Sequence, residues 1–337
     1  MIVKKNNLLI NATPAKFGGA KTIVENYLEN GDFSKYEKVI LLAPRTIFFN
    51  NEKVHHVKRE TSGLLSWTFS VLIVFLYALY YRCGSIISFN NVNCIVPFFN
   101  KITYFHTPHI FYSKSMRHRL LRFTIRYLMV REHFVFQSKY VHDEFVRVFG
   151  EKYKFSVNWC GCESPFINNI SFRKENSSEK YKCIVPIVDS KSIVKNFKFV
   201  VDNIDFIDQN NIEIYSLSEG GERSDKIHYI GRKSKVELMS LYCEMDFMLM
   251  PSLFETVGLP IFEFAGTGKP VLVLDKPYIS GIDNTIGLPD NIFPFCEDEF
   301  YDSIINLTQE YEWHKILPLS SDHRMLKPDW SAMNNFI

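Results

Sequence analysis

No Cys-x-x-Cys pair occurs among the seven cysteines of this 337-residue chain, and Cys160-x-Cys162 is too tightly spaced for a zinc knuckle. An odd count without paired spacings excludes a disulfide framework and a zinc module, and reads as reduced thiols with no metal centre. No Gly-x-Gly-x-x-Gly follows the first strand-like segment, which argues against a dinucleotide-dependent dehydrogenase. Internal repeats and low-complexity tracts are missing too. The start, Met1-Ile2-Val3-Lys4-Lys5, runs straight into Leu8-Leu9-Ile10 without the pattern of a signal peptide, so a cytoplasmic location is expected. What is present is ordinary for a globular protein: 46% hydrophobic and 23% charged residues, in a length natural for two domains.

Charge is unevenly distributed. Residues 1–160 hold 22 Lys and Arg against 10 Asp and Glu, while the remainder holds 17 against 27, so that the chain is only +2 overall. A basic first half suggests contact with an anionic surface. Nucleic acid is not expected, because no recognisable nucleic-acid motif accompanies the charge. Within the basic half, Ser115 to Val130 reads as a helix with Arg119, Arg122 and Arg126 on one stripe and apolar residues around most of the rest. That stripe is either the solvated edge of a core helix or an edge that meets anionic lipid or a lipid diphosphate; the surplus of positive charge favours the second. Leu64 to Tyr81 is 18 residues without a charge, the length at which a membrane span has to be considered. Strand candidates on both sides of it argue instead for a buried or interfacial helix, since a span would split one sheet across a bilayer.

Strands and helices alternate along the chain as in doubly wound parallel sheets. Leu8–Asn11, Lys38–Leu42, Ser85–Phe89, Lys101–Phe105, His133–Gln137 and Phe155–Trp159 are expected in a first Rossmann-like α/β domain, residues 1–160. Cys183–Val188, Glu213–Ser216, Lys226–Tyr229, Phe247–Met250 and Val271–Leu274 are expected in a second, residues 161–337, with helices over Val194–Ile204 and Lys235–Glu244. The polar stretch from Asn168 to Lys180 reads as a linker or surface loop.

The most informative stretch is Pro251-Ser252-Leu253-Phe254-Glu255-Thr256-Val257-Gly258-Leu259-Pro260-Ile261-Phe262-Glu263. Pro260 suits the first turn of a helix, and Gly266 and Gly268 suit its end. Free N–H groups near Val257–Leu259 then suit phosphate or polyol oxygens. Glu255, before the helix, can accept hydrogen bonds from sugar hydroxyls, and Glu263, about one turn inside it, can reach a ribose diol.

Two glutamates with seven residues between them, a Gly-Leu-Pro helix start and Gly268-Lys269-Pro270-Val271 together resemble the retaining, family-4 glycosyltransferases of the GT-B fold, of bacterial surface-polysaccharide type. The resemblance implies two doubly wound parallel-sheet domains with a cleft between them. It implies donor contacts from Gly18 and Gly19, which open a helix after the first strand, from Lys191 and Gly231, and from Thr256, Val257, Gly258, Leu259 and Glu263. It gives catalytic roles to His106, Lys195 and Glu255, with Lys195 neutralising the donor diphosphate. The pattern expects an Arg about five residues before Lys195, where this chain has Asp189-Ser190-Lys191-Ser192; Lys191 is the available substitute. The Pro-Asn-Gly hinge is replaced by Asn158-Trp159-Cys160-Gly161-Cys162. Trp330 resembles the Trp that opens the family's last helix, which here looks too short to lean back on the first domain. The implied activity is transfer of a hexose-type sugar from a nucleotide sugar, without a metal ion or other cofactor, to an oligosaccharide acceptor carried on a polyprenyl diphosphate at the inner face of a membrane. The alternative is a non-catalytic, degenerate transferase that binds a membrane or another enzyme.

Overall fold

The computed structural model describes residues 6–49, 51–107, 109–129, 132–163, 170–172, 179–313, 316–320 and 323–335. Contacts divide the chain into two compact units, with breaks after Gly161 and after Lys327. The stretch expected as a linker, 168–180, lies largely outside the described residues, as do Pro108 and Val130.

In the first unit, β1 (Asn7–Asn11), β2 (Lys38–Ala43), β3 (Val54–Lys58), β4 (Cys83–Ser88), β5 (Asn100–Phe105), β6 (His133–Phe136) and β7 (Lys154–Val157) form one parallel sheet in the order β3-β2-β1-β4-β5-β6-β7. The central strand β1 is buried along its whole length, with an apolar run, Leu8–Ile10, between two buried asparagines. Leu9, Ile40, Ile86, Val74 and Ala78 pack one core cluster, and Phe105, Leu121, Ile125, Phe134, Phe136 and Phe145 another. The second unit holds β8 (Tyr181–Val185), β9 (Ile212–Ser216), β10 (Ile227–Tyr229), β11 (Phe247–Met250), β12 (Val271–Leu274) and β13 (Ile292–Phe295), again all parallel, in the order β10-β9-β8-β11-β12-β13. Val185, Ile214, Phe247, Leu249, Leu272 and Phe300 sit in its core.

The 18-residue apolar segment forms a helix, Gly63–Tyr80, with a π-helical turn at Phe69–Ile73. It is long and apolar enough to cross a membrane, yet its serines tie it to the sheet. Asn11 Nδ2 donates to Ser70 Oγ at 2.8 Å, Asn90 Nδ2 donates to the Ser66 carbonyl at 2.8 Å, and Ser66 Oγ donates to Thr61 Oγ1 at 3.0 Å. The residues that dilute its hydropathy are therefore its anchors to the rest of the first unit.

Three expectations need correction. The helix expected over Val194–Ile204 is instead a 3-10 turn (Ile193–Lys195), left-handed Asn196 at φ 53°, a helix Phe197–Asp202 and a second helix Ile204–Gln209. The domain expected over 161–337 gives its end to the first unit, because the chain beyond Lys327 packs there. Short as the Ser331–Asn334 helix is, Trp330 before it is 3% exposed, with its ring 5.2 Å from Tyr27 and 5.7 Å from Tyr104 and its Nε1–H donating to Asn26 Oδ1 at 3.0 Å. Asn158 Nδ2 donates to Asp329 Oδ2 at 2.7 Å and closes the segment down. Trp330→Ala is expected to cost about 3–5 kcal/mol of first-unit stability, the usual loss for truncating a buried Trp, measured by urea unfolding.

Candidate functional site

Parallel α/β sheets present their functional side chains on the loops beyond the carboxyl ends of the strands. In the second unit β8 and β11 are neighbours at the centre of the sheet, with Phe247 opposite Cys183. The loops that leave them are stitched together. Leu253 N–H donates to the Val194 carbonyl at 2.9 Å, and Asn196 Nδ2 donates to the Pro251 carbonyl at 3.1 Å. The left-handed Asn196 turns the chain sharply after Lys195, and the lysine ammonium donates to Glu255 Oε1 at 2.6 Å. Residues 60 positions apart in the chain thus form one ion pair, with the Glu255 side chain 11% exposed and that of Lys195 37% exposed.

Gly258, at φ 68°, turns the chain into the helix Leu259–Ala265, with Pro260 in its first turn. A side chain there would be strained by φ alone, and its Cβ would also come within 2.9 Å of Ile261 Cδ1. Val257 and Leu259 are buried and Thr256 is half-buried. On the same helix Glu263 is only 6% exposed, and no hydrogen bond joins its carboxylate to another described residue. Burial pushes its pKa up to about 7; the nearby Lys235 ammonium offsets part of that rise, and Glu163, itself paired with Lys235, adds to it. A carboxylate buried without donors is costly, so this glutamate is poorly suited to the protein alone and well suited to accepting hydrogen bonds from a ligand's hydroxyls.

The remaining second-unit candidates line the same end of the sheet. Gly231, at φ 68° just beyond β10, donates its N–H to the Ser218 carbonyl at 3.2 Å, and a Cβ there would meet nothing within 4 Å. Ser218 Oγ in turn donates to Ser190 Oγ at 3.2 Å, tying this loop to the one that carries Lys191. Lys191 is exposed and no described side chain pairs with its ammonium; only its backbone N–H is engaged, by Asp189 Oδ1 at 3.1 Å.

Gly18, Gly19 and His106 belong to the first unit. Gly18, at φ 64°, and Gly19 are exposed at the start of the helix Gly18–Asn30, which follows β1. His106 leaves the end of β5, and its backbone N–H is held by Asn91 Oδ1 at 2.8 Å. The residue keeps some accessible surface, but protein crowds the imidazole closely enough to push its pKa down to about 4. At neutral pH it is an uncharged imidazole.

No family model matches the sequence, and no curated protein does. Solved structures do. A sucrose-phosphate synthase from Thermosynechococcus elongatus superposes with a TM-score of 0.67 at 11% identity, over 93% of this chain and 92% of that one. HepE of Anabaena, solved with UDP and glucose, gives 0.61 at 12% identity over 91% and 90%. WaaG, a glycosyltransferase involved in lipopolysaccharide biosynthesis, gives 0.62 at 9% identity over 90% of each chain. The fold is GT-B. Identities this low speak for the architecture and not for the chemistry.

Within the GT-B frame, the arginine stripe proves less uniform than its spacing suggests. The helix runs Met116–Phe123 and continues as a π-helical turn, Thr124–Leu128. Arg122 donates to the carbonyls of Ile110 at 2.6 Å and Ser113 at 2.8 Å, and Arg126 donates to the Val148 carbonyl at 2.7 Å. Both serve the fold, and Arg119 alone keeps its guanidinium clear of backbone carbonyls. Conversely, Lys269 of the Gly-Lys-Pro-Val stretch has a role that spacing did not reveal. It is 1% exposed, and it donates to the Cys243 carbonyl at 2.8 Å and the Met245 carbonyl at 2.5 Å, closing the end of the helix Lys235–Glu244. Burial pulls its pKa down to about 8. Among the described residues no group of three or more His, Cys, Asp or Glu side chains converges as metal ligands would.

Proposed function

We propose that this protein is a glycosyltransferase that moves a hexose-type sugar from a nucleotide sugar to a saccharide acceptor, with retention at the anomeric carbon. The observation that carries this reading is the conjunction, beyond the carboxyl ends of the central strands of the second sheet, of the Lys195–Glu255 pair with a buried Glu263 that has no hydrogen bond from another described residue. Support comes from the GT-B fold, shared with HepE, a protein solved with UDP and glucose.

In this reading Glu263 accepts hydrogen bonds from the ribose diol, and the backbone around Gly231 meets the base. Lys195, aided by Lys191 and by the backbone N–H groups of Val257 to Leu259, meets the diphosphate. Glu255 holds hydroxyls of the sugar. Breaking the glycosyl–phosphate bond leaves an oxocarbenium-like carbon and an anionic nucleoside diphosphate, so preplaced positive charge and N–H donors lower the barrier. The leaving phosphate takes the proton of the acceptor hydroxyl, which attacks from the same face. Neutral His106, in the first unit, can hydrogen-bond the acceptor without adding a charge. Because cationic side chains and backbone amides supply the stabilisation, turnover is expected to survive EDTA. The acceptor proposed is an oligosaccharide on a polyprenyl diphosphate, in keeping with the basic first half of the chain.

The test is a thermal-shift panel of UDP-, GDP- and dTDP-sugars, followed by NMR of the product formed from the sugar that stabilises most. One donor is expected to raise the melting midpoint by several degrees, and the new linkage to keep the donor's anomeric configuration. Inversion would end the retaining assignment. Stabilisation without turnover on any acceptor would favour a degenerate, binding-only protein, and no stabilisation by any nucleotide sugar would end the donor assignment altogether.

A further inference from the structure

The turn that leaves β4 reads Phe89-Asn90-Asn91-Val92-Asn93, and all three of its asparagines are buried. Two of them lock the turn to its surroundings. Asn90 Nδ2 donates to the Ser66 carbonyl at 2.8 Å, and Asn93 Nδ2 donates to the Ile102 carbonyl at 2.9 Å. Ser88 Oγ donates to the Val92 carbonyl at 2.6 Å and closes the turn from within. Asn91, left-handed at φ 60°, uses its side chain differently. β4 and β5 pair with Ser88 opposite Thr103, so their loops leave the same end of the sheet, and Asn91 spans from one to the other. Its Oδ1 accepts the His106 backbone N–H at 2.8 Å, and its Nδ2 donates to Thr107 Oγ1 at 2.9 Å.

This clamp fixes the polarity of Thr107. A backbone N–H can only donate, so the amide oxygen of Asn91 faces His106 and the amide NH2 is left for Thr107. The Thr107 oxygen is therefore an acceptor toward Asn91, and its single proton points elsewhere. No described residue accepts that proton, and Thr107 is only half-buried, which leaves the hydroxyl open to a ligand. As a β-branched side chain it also has few χ1 choices. Beside it stands the uncharged imidazole of His106. Two neutral hydrogen-bonding groups on adjacent residues suit the hydroxyls of a saccharide; a phosphate or carboxylate calls for cations. We propose that Thr107 is a binding residue for the saccharide acceptor, donating its hydroxyl proton to one of the acceptor's oxygens, and that Asn91 is the positioning residue that presents it. The role rests on the sugar-transfer reading, with the first unit taking the acceptor.

The experiment offers the nucleotide sugar that best stabilises the protein to p-nitrophenyl glucoside, galactoside and N-acetylglucosaminide, and to water alone. Thr107→Val keeps the shape and loses the hydroxyl. It is expected to raise the KM for the glycoside roughly three- to tenfold, the usual worth of one neutral hydrogen bond. The KM for the donor and the rate of its hydrolysis by water should not change, and Thr107→Ser should restore the wild-type KM. Asn91→Asp is the sharper variant. Its carboxylate still accepts the His106 N–H, but toward Thr107 it can only accept, so it draws the hydroxyl proton away from the acceptor. Asn91→Asp should therefore raise the glycoside KM as Thr107→Val does, and combining the two should add nothing. Saturation-transfer NMR makes the same comparison for a glycoside that binds without reacting, and melting midpoints separate these effects from loss of fold. Full glycoside affinity in Thr107→Val would overturn the proposal and leave the sugar-transfer reading standing. A loss that serine does not restore, or that slows hydrolysis by water equally, would overturn it by making Thr107 a structural residue. A wild type that hydrolyses the donor but neither binds nor glycosylates any of the three glycosides would overturn it as well. A wild type that consumes no donor at all would instead strike the sugar-transfer reading, and the proposal with it.

Discussion

Glu263→Gln is expected to stabilise the ligand-free protein at pH 8 and at the same time weaken its hold on the donor. The wild-type carboxyl has its pKa pushed from 4.5 up to about 7 by burial. A group whose folded pKa lies above its unfolded value binds more protons in the native state, so stability falls as pH rises between the two. For Glu263 the fall runs from about pH 4.5 to about pH 7 and is complete above that. A shift of this size corresponds to about 3 kcal/mol of native-state stability at pH 8. Glutamine removes the ionisation and keeps the shape, so the thermal midpoint of the second unit is expected to rise by several degrees at pH 8 and by little at pH 4. The diol contact changes in the opposite sense. A carboxylate accepts hydrogen bonds from two hydroxyls only when ionised, and hydrogen bonds to charged groups contribute about 1.5–3 kcal/mol. Titration calorimetry should therefore show wild-type affinity for the nucleotide falling as pH drops below 7. The glutamine variant should bind roughly ten- to a hundredfold more weakly at pH 8, with a flat pH profile. A variant that neither gains stability nor loses affinity would mean that Glu263 is merely a buried carboxyl and that the diol lies elsewhere.

The residues that made the fold readable are those with both faces covered. β11 is apolar at every position and β1 across its middle, Leu8–Ile10, because strands inside a parallel sheet are covered on both faces. Edge strands do not carry that signature. β3 reads Val-His-His-Val-Lys, half-exposed, and β13 holds Pro294, which an edge tolerates and a central strand does not. Neither was expected from the sequence. The long apolar helix was legible as a helix, but the anchoring by Ser66 and Ser70 was not, because their partners, Asn11 and Asn90, are distant in the chain. The site follows the same rule. Glu255, Gly258 and Glu263 stand within nine residues, so one turn of chain chemistry suggests them together. Lys195 could be joined to them only by resemblance, since its place is set by a left-handed Asn196 and by hydrogen bonds to Val194 and Pro251 carbonyls. Helical spacing placed Arg119, Arg122 and Arg126 on one stripe, but it carries no information about which carbonyls lie nearby, and those carbonyls engage two of the three.

Lys195→Ala is expected to lower kcat by two to three orders of magnitude while leaving the fold intact. The loss follows from the role proposed for the ammonium: it meets charge that grows on the diphosphate as the glycosyl bond breaks, and preplaced charges of this kind are worth about that factor. The fold survives because the pair is open to solvent on the lysine side, and partly exposed ion pairs contribute about 0–1 kcal/mol. Glu255→Gln should also lower kcat steeply, through the sugar hydroxyls it no longer grips. The two losses are not expected to add. In the free protein the lysine and the glutamate hold each other at 2.6 Å, so either substitution also leaves the other side chain without its orienting partner. The double variant should be little slower than the worse single one, which is the signature of residues acting as a unit. Lys195→Arg keeps the charge but is longer and planar, and it should recover nucleotide binding before it recovers turnover. Strictly additive losses would separate the pair into two unrelated contacts. Full activity in Lys195→Ala would remove the lysine from the chemistry and leave the diphosphate to Lys191 and the backbone amides.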